Sequence, residues 1–218
     1  MVTNGLQEEY QERGYAVRKG VVPEREIKAL RAAAARIVDA FDDERHRSVF
    51  STLDGEEGRE RYFMDSSEAV HCFLEEDALD ADGRLTRPKA AAVNKIGHAL
   101  HDRVPEFTNF CRLPFFAGIL RAIAYEAPVL WQTMYIFKQP RIGGEVRWHQ
   151  DASYLKTRPN SVVGFWLALE DAHRENGCLW VQPGGHRSPL REGYEVDHRT
   201  GTARSDQMDD GPWPSAEE

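Results

Sequence analysis

The chain has 218 residues, 41% hydrophobic and 10% aromatic, a composition that suits one packed globular domain and excludes a disordered or fibrous chain. Its 36 acidic and 28 basic side chains give a net charge of -8, with no Lys/Arg block dense enough to follow a phosphate backbone. That excludes nucleic acid as the expected partner and favours small molecules. No segment approaches the ~20 apolar residues that cross a bilayer, and no basic stretch precedes an apolar core at the N-terminus, so a cytoplasmic chain without membrane contact is expected. Cys72, Cys111 and Cys178 are widely spaced in apolar surroundings, which predicts reduced, packed thiols.

Residues 6–14 carry a short helical pattern closed by Gly14, and residues 15–17 read as a strand running into a turn at Val21-Val22. Pro23 opens the strongest helix, with Ile27, Leu30, Ala34, Ile37, Val38 and Phe41 along one face and Asp42-Asp43-Glu44 at its end. Strands are predicted over 61–64 and 70–74, a turn over 80–83, and helices over 96–101 and 114–125, with Pro114 in the first turn of the latter. After Pro128 the periodicity turns from helical to alternating. Residues 129–137, 146–151, 161–169 and 178–182 read as strands, with Gly143-Gly144 and Glu175-Asn176-Gly177 as turns. From Arg187 onward the text is polar and reads as loop.

A helical N-terminal half feeding short strands predicts an α+β protein, a β-sandwich or barrel decorated by helices. A two-sheet jelly roll needs about eight strands. Four or five are read after Pro128, so the barrel is expected to be incomplete at the C-terminal end.

The most informative chemistry lies in Trp148-His149-Gln150-Asp151. In a strand, positions 149 and 151 project to the same side, so both can reach one ion. An imidazole nitrogen and a carboxylate oxygen are two of the three donors of the 2-His-1-carboxylate triad that holds Fe(II) and leaves positions open. A second His is required. His71, His98 and His101 read as helix or strand surface residues, His173 as part of a solvated acidic turn, and His198 as a loop residue. His186, following a predicted strand, is the nearest candidate for a second imidazole. No G-x-S-x-G elbow is present, and neither Gly-Gly pair opens a helix or carries G-x-x-x-x-G-K, so nucleophilic hydrolysis and phosphate binding have no support. Two classes stay open: a metal-dependent oxygenase and a non-catalytic binding module.

Several blocks together resemble the phytanoyl-CoA dioxygenase family. They are Asn94-Lys95-Ile96-Gly97-His98-Ala99-Leu100-His101, Met134-Tyr135-Ile136-Phe137-Lys138-Gln139-Pro140, Gly143-Gly144-Glu145-Val146, Trp148-His149-Gln150-Asp151-Ala152-Ser153, Glu175-Asn176-Gly177-Cys178-Leu179-Trp180 and Pro183-Gly184-Gly185-His186. The resemblance implies a double-stranded β-helix (jelly roll, cupin-like) with N-terminal helices, forming a single domain over 1–218. It also implies Fe(II) as cofactor, 2-oxoglutarate as co-substrate, O2 as oxidant and hydroxylation of a small or lipid-like organic substrate. His149 and Asp151 match the catalytic metal ligands of that family, and Lys95, Met134 and Trp166 match positions lining the 2-oxoglutarate pocket, with Lys95 available to a carboxylate.

The resemblance places the second ligand His, and an Arg suited to bidentate pairing with the far carboxylate of 2-oxoglutarate, on late strands beyond the Asp210-Gly211-Pro212-Trp213 region. It therefore implies a family member lacking those C-terminal strands, with weak iron binding and little turnover. His186 matches a Pro-Gly-x-His turn of the family and not its ligand position.

Overall fold

A computed structural model describes residues 3–51, 61–197 and 202–214. Helix α1 (Leu6–Arg13) stops where Gly14 adopts a left-handed conformation (φ 81°) and returns its N–H to the Tyr10 carbonyl. Helix α2 (Glu24–Ala40) starts from an extended Pro23 and carries Glu24 and Glu26 in its first turn, where the helix dipole favours them. Its buried face is Leu30, Ala33, Ala34 and Val38, continued by Phe41. That is the stripe expected from the 3.6-residue period.

This stripe packs on a three-stranded antiparallel sheet of order β1-β2-β3, formed by β1 (Val70–Leu74), β2 (Val93–His98) and β3 (Thr133–Ile136). Cys72 pairs with Ile96, and Ile96 with Tyr135, so these three point together into the helix-covered core. Phe73, Lys95 and Ile136 are likewise in register, as are Gly97 and Met134, and they share the opposite face. Leu74, Ile96 and Leu100 are fully buried, each contributing about 1.5–3 kcal/mol of apolar stabilisation.

Three short helices, α4 (Leu100–Arg103), α5 (Pro105–Cys111) and α6 (Pro114–Ala122), complete the core layer, α5 and α6 with proline at the first turn. Phe110 meets Phe116 edge-on at 5.3 Å, and Phe116 meets Phe165 at 5.0 Å and 87°, which fastens the later segments to the helices.

Several expectations are corrected. Residues 61–64 form helix α3 (Arg61–Asp65), not a strand. Ile96 to His98 complete β2, and only Leu100 onward is helical, because backbone pairing to β1 and β3 overrides the helical spacing of Ile96 and Leu100. Residues 15–17 belong to no strand, and of 129–137 only Thr133–Ile136 is strand, with the Phe137 N–H adding a bond to the Asn94 carbonyl at 2.8 Å. Residues 146–151, 161–169 and 178–182 make no ladder among the described residues. Their apolar side chains Val146, Trp166, Leu179, Trp180 and Val181 are exposed, as are Val129, Leu130 and Trp131.

The polar tail holds a second sheet where loop is predicted: β4 (Glu192–Asp197) pairs antiparallel with β5 (Thr202–Gln207). Charge pairs mark it, with Glu195 bridging Lys156 at 3.2 Å and Arg204 at 2.9 Å, and its only apolar alternation is the short Tyr194 and Val196 of β4. The structure is thus α+β with antiparallel sheets, and no closed barrel is formed among the described residues. All three cysteines are free. No described helix is long and apolar enough to cross a membrane.

Candidate functional site

His149 and Asp151 lie on a segment without a ladder partner, yet Gln150 between them is extended (φ -115°, ψ 125°) and sends both neighbours to one side. Asp151 then opens a 3-10 turn, its carbonyl accepting from the N–H groups of Tyr154 (3.0 Å) and Leu155 (2.9 Å), which fixes the carboxylate's backbone. The His149 Nδ1 lies 2.8 Å from the Arg147 carbonyl oxygen. A carbonyl only accepts, so Nδ1 carries the proton and Nε2 is the ring nitrogen directed at Asp151, whose Oδ1 is 3.5 Å away.

That separation is long for a hydrogen bond. It is close to the ~3 Å between two donors that each bind one ion at about 2.1 Å and right angles. An imidazole nitrogen oriented by a backbone carbonyl beside a carboxylate is a donor set that fits a divalent transition metal. Both side chains remain open, 39% and 57% exposed. Tyr154 meets the His149 ring edge-on at 6.2 Å.

Gly164 passes directly against the pair: a Cβ there would lie 3.2 Å from Asp151 Oδ2. Phe165 packs on Phe116, and Leu167 and Leu169 on the core. The same alternation puts exposed Trp166 on Gly164's side. Gly164 went unread in the sequence, although a glycine inside a strand-like run is the signal for such a close approach.

Lys95 and Met134 form a second group, on the sheet face opposite α2, where Phe63 of α3 packs. Lys95 is buried, and its Nζ lies 3.4 Å from the Phe50 ring centre and 5.3 Å from those of Phe63 and Phe73, a cation–π arrangement. Met134 stands opposite Gly97, its Cγ 3.4 Å from where a Gly97 Cβ would lie, and is half-exposed.

The other described histidines have their own structural partners. His186 lies over Gly14 and bonds the Gln11 carbonyl (3.1 Å), which also accepts from Arg187 (2.9 Å), while the Gly184 N–H bonds the Arg13 carbonyl, so this turn caps the end of α1. It is therefore not the second imidazole. His98 and His101 are buried, not on the surface: His98 Nδ1 lies 2.7 Å from Ser66 Oγ, and His101 Nδ1 3.0 Å from Thr133 Oγ1. His71 stacks on Tyr62 at 4.1 Å, and His173 caps the 3-10 turn Arg174–Asn176. His198 lies outside the described residues. Among the described residues no group of three or more His, Cys, Asp and Glu side chains can hold a metal ion.

Asp151 raises the pKa of His149 above its ordinary 6.5, aided by the Arg147 carbonyl and Glu192 and opposed by burial. A raised folded-state value means that the stabilisation is complete below the unfolded value and is lost as pH climbs through the folded one. The metal-free protein is therefore expected to lose stability as pH rises above the ordinary imidazole value of about 6.5, whereas stabilisation by added Co(II), which displaces the same proton, is expected to grow. Denaturant titrations with chelator and with Co(II) across that range check both slopes.

Fold and site together define a helix-backed antiparallel α+β protein with an open imidazole–carboxylate pair. The phytanoyl-CoA dioxygenase (PhyH) family profile matches residues 10–217, and the chain belongs to that family. It is 41% identical over 181 residues to a phytanoyl-CoA dioxygenase of Arabidopsis thaliana, covering 83% of this chain and 64% of the relative. It is 43% identical over 178 residues to phytanoyl-CoA dioxygenase 1 of Oryza sativa subsp. japonica (82% and 63%). With phytanoyl-CoA dioxygenase domain-containing protein 1 of Danio rerio it shares 42% over 189 residues (84% and 65%). The chain thus spans slightly less than two thirds of the length of these curated relatives.

Proposed function

We propose that this chain is a non-haem Fe(II)- and 2-oxoglutarate-dependent dioxygenase domain, of jelly-roll type over residues 1–218, that hydroxylates a small or lipid-like organic molecule. The carrying observation is the pair itself, His149 Nε2 facing Asp151 Oδ1 at 3.5 Å with Nδ1 tied to the Arg147 carbonyl. When bound, Fe(II) and 2-oxoglutarate would supply the chemistry that splits O2, the 2-oxo acid losing CO2 to become succinate with one oxygen atom and the other passing into a C–H bond of the substrate. His149 and Asp151 hold the ion on one side, and the glycine at 164 keeps the carboxylate's flank clear. Lys95, its ammonium wrapped in aromatic rings, offers a charge to a carboxylate of the co-substrate, with Met134 and Trp166 as pocket walls.

Only two donors come together among the described residues, which favours weak metal binding and low turnover by this chain as a second reading, close to a non-catalytic binding module. The test is Co(II) absorption with and without 2-oxoglutarate, together with succinate release in the presence of Fe(II) and O2. 2-Oxoglutarate is expected to shift the Co(II) bands in the wild type and not in Lys95→Met. Bands indifferent to 2-oxoglutarate in the wild type would remove the co-substrate assignment, and robust succinate release would show that a third ligand completes the site.

A further inference from the structure

We propose that Gln150 is the positioning residue of the metal-ligand pair, its side-chain amide standing in for the strand neighbour that this segment lacks. The inference rests on the metal-site reading above.

Residues 146–150 belong to no ladder, so backbone pairing does not hold the extended peptide that aligns His149 with Asp151. Gln150, between them, projects the other way. Its Nε2 donates to the Pro189 carbonyl at 3.1 Å, and its Oε1 accepts the Arg191 N–H at 2.9 Å. One partner can only accept and the other only donate, so a single amide orientation satisfies both. These bonds bracket Leu190, reaching a carbonyl before it and an N–H after it, as the peptide of a parallel neighbouring strand does.

The anchor is itself fixed. The Arg191 carbonyl accepts from the N–H groups of Met208 (2.7 Å) and Asp209 (3.2 Å). Its guanidinium bonds the carbonyls of Gly211 (2.9 Å) and Pro212 and lies 4.7 Å from the centre of the Trp213 ring. A rigid clamp on Gln150 thus sets the rotation of the two peptides that carry the ligands. Loss of the clamp leaves two exposed side chains free to swing apart without touching the ion's own contacts.

The test is Co(II) binding, measured by absorption and calorimetry, on the wild type, Gln150→Met, which keeps length and loses both bonds, and Gln150→Glu, which keeps the acceptor for Arg191 and sets an oxygen against the Pro189 carbonyl. Gln150→Met is expected to bind about 10–100-fold more weakly, the range seen when groups orienting metal ligands are removed, with Gln150→Glu between it and the wild type. A purely structural role would lower the thermal midpoint of the metal-free protein while leaving the Co(II) affinity of the folded fraction unchanged. Affinity of Gln150→Met within about twofold of the wild type overturns the proposal. Should that variant not fold, Gln150→Glu carries the comparison, and wild-type affinity there overturns it equally. A wild type that binds no Co(II) overturns the metal-site reading as well, which separates the two failures.

Discussion

Asp151→Asn is expected to lower divalent-metal affinity by more than about 100-fold, because even groups that merely orient a metal ligand are worth 10–100-fold. The change keeps the size of the side chain and removes the negative charge from the carboxylate placed 3.5 Å from His149 Nε2. It also predicts a result independent of any metal. Asp151 is the first cause of the raised His149 pKa, so in Asp151→Asn the imidazole should titrate lower than in the wild type. Co(II) titration and NMR titration of the His149 ring measure the two effects. Both side chains are solvent-accessible, so the fold should tolerate the substitution, and unchanged metal affinity together with an unmoved His149 titration would dismiss the pair as a site.

What was legible in the sequence differs sharply between the two halves. Helix α2 could be read because its apolar stripe and its proline start are local properties of 17 residues, and α6 offers the same proline signal, whereas α5 carries a proline start too but is not among the expected helices. The segment 161–169 does alternate, with Phe165, Leu167 and Leu169 turned toward the helices, but a period of two specifies a face and not a neighbour. Pairing has to come from elsewhere in the chain, and none is found among the described residues. The β4–β5 ribbon shows the converse, a real ladder whose one short alternation, Tyr194 and Val196 against Glu195 and Asp197, is set in a polar stretch.

The site divides in the same way. That His149 and Asp151 face one another follows from their spacing, although the strand expected to align them is not formed and an extended Gln150 aligns them instead. The bonds of Gln150 to Pro189 and Arg191 join residues 39 and 41 positions away, and side chain to backbone contacts over that distance leave no pattern in a sequence. The burial of His98 and His101 was missed for a related reason. Their partners Ser66 and Thr133 lie 32 positions distant, beyond any local window.

Phe73→Ala is expected to cost about 3–5 kcal/mol, a large share of the 5–15 kcal/mol by which domains are usually stable. Phe73 is 1% exposed on β1, meeting Tyr62 at 5.5 Å and Phe63 at 5.6 Å edge-on, with His98 tilted at 5.9 Å. Truncation removes the buried ring, leaves a void among these rigid neighbours, and forfeits aromatic contacts worth about 0.5–1.5 kcal/mol each. A second effect follows from register. Phe73 lies opposite Lys95 on the same sheet face, 5.3 Å from its Nζ, so the void admits water to one of the rings that surround the ammonium. Phe73→Leu refills most of the volume without the ring face, and it should recover much of the stability but not the cation–π contact. Chemical denaturation of the three proteins separates these contributions, because a packing loss should shrink from alanine to leucine whereas a loss of ring electrostatics should not. A cost below about 1 kcal/mol for Phe73→Ala would contradict the packing of this sheet face and, with it, the setting assigned to Lys95.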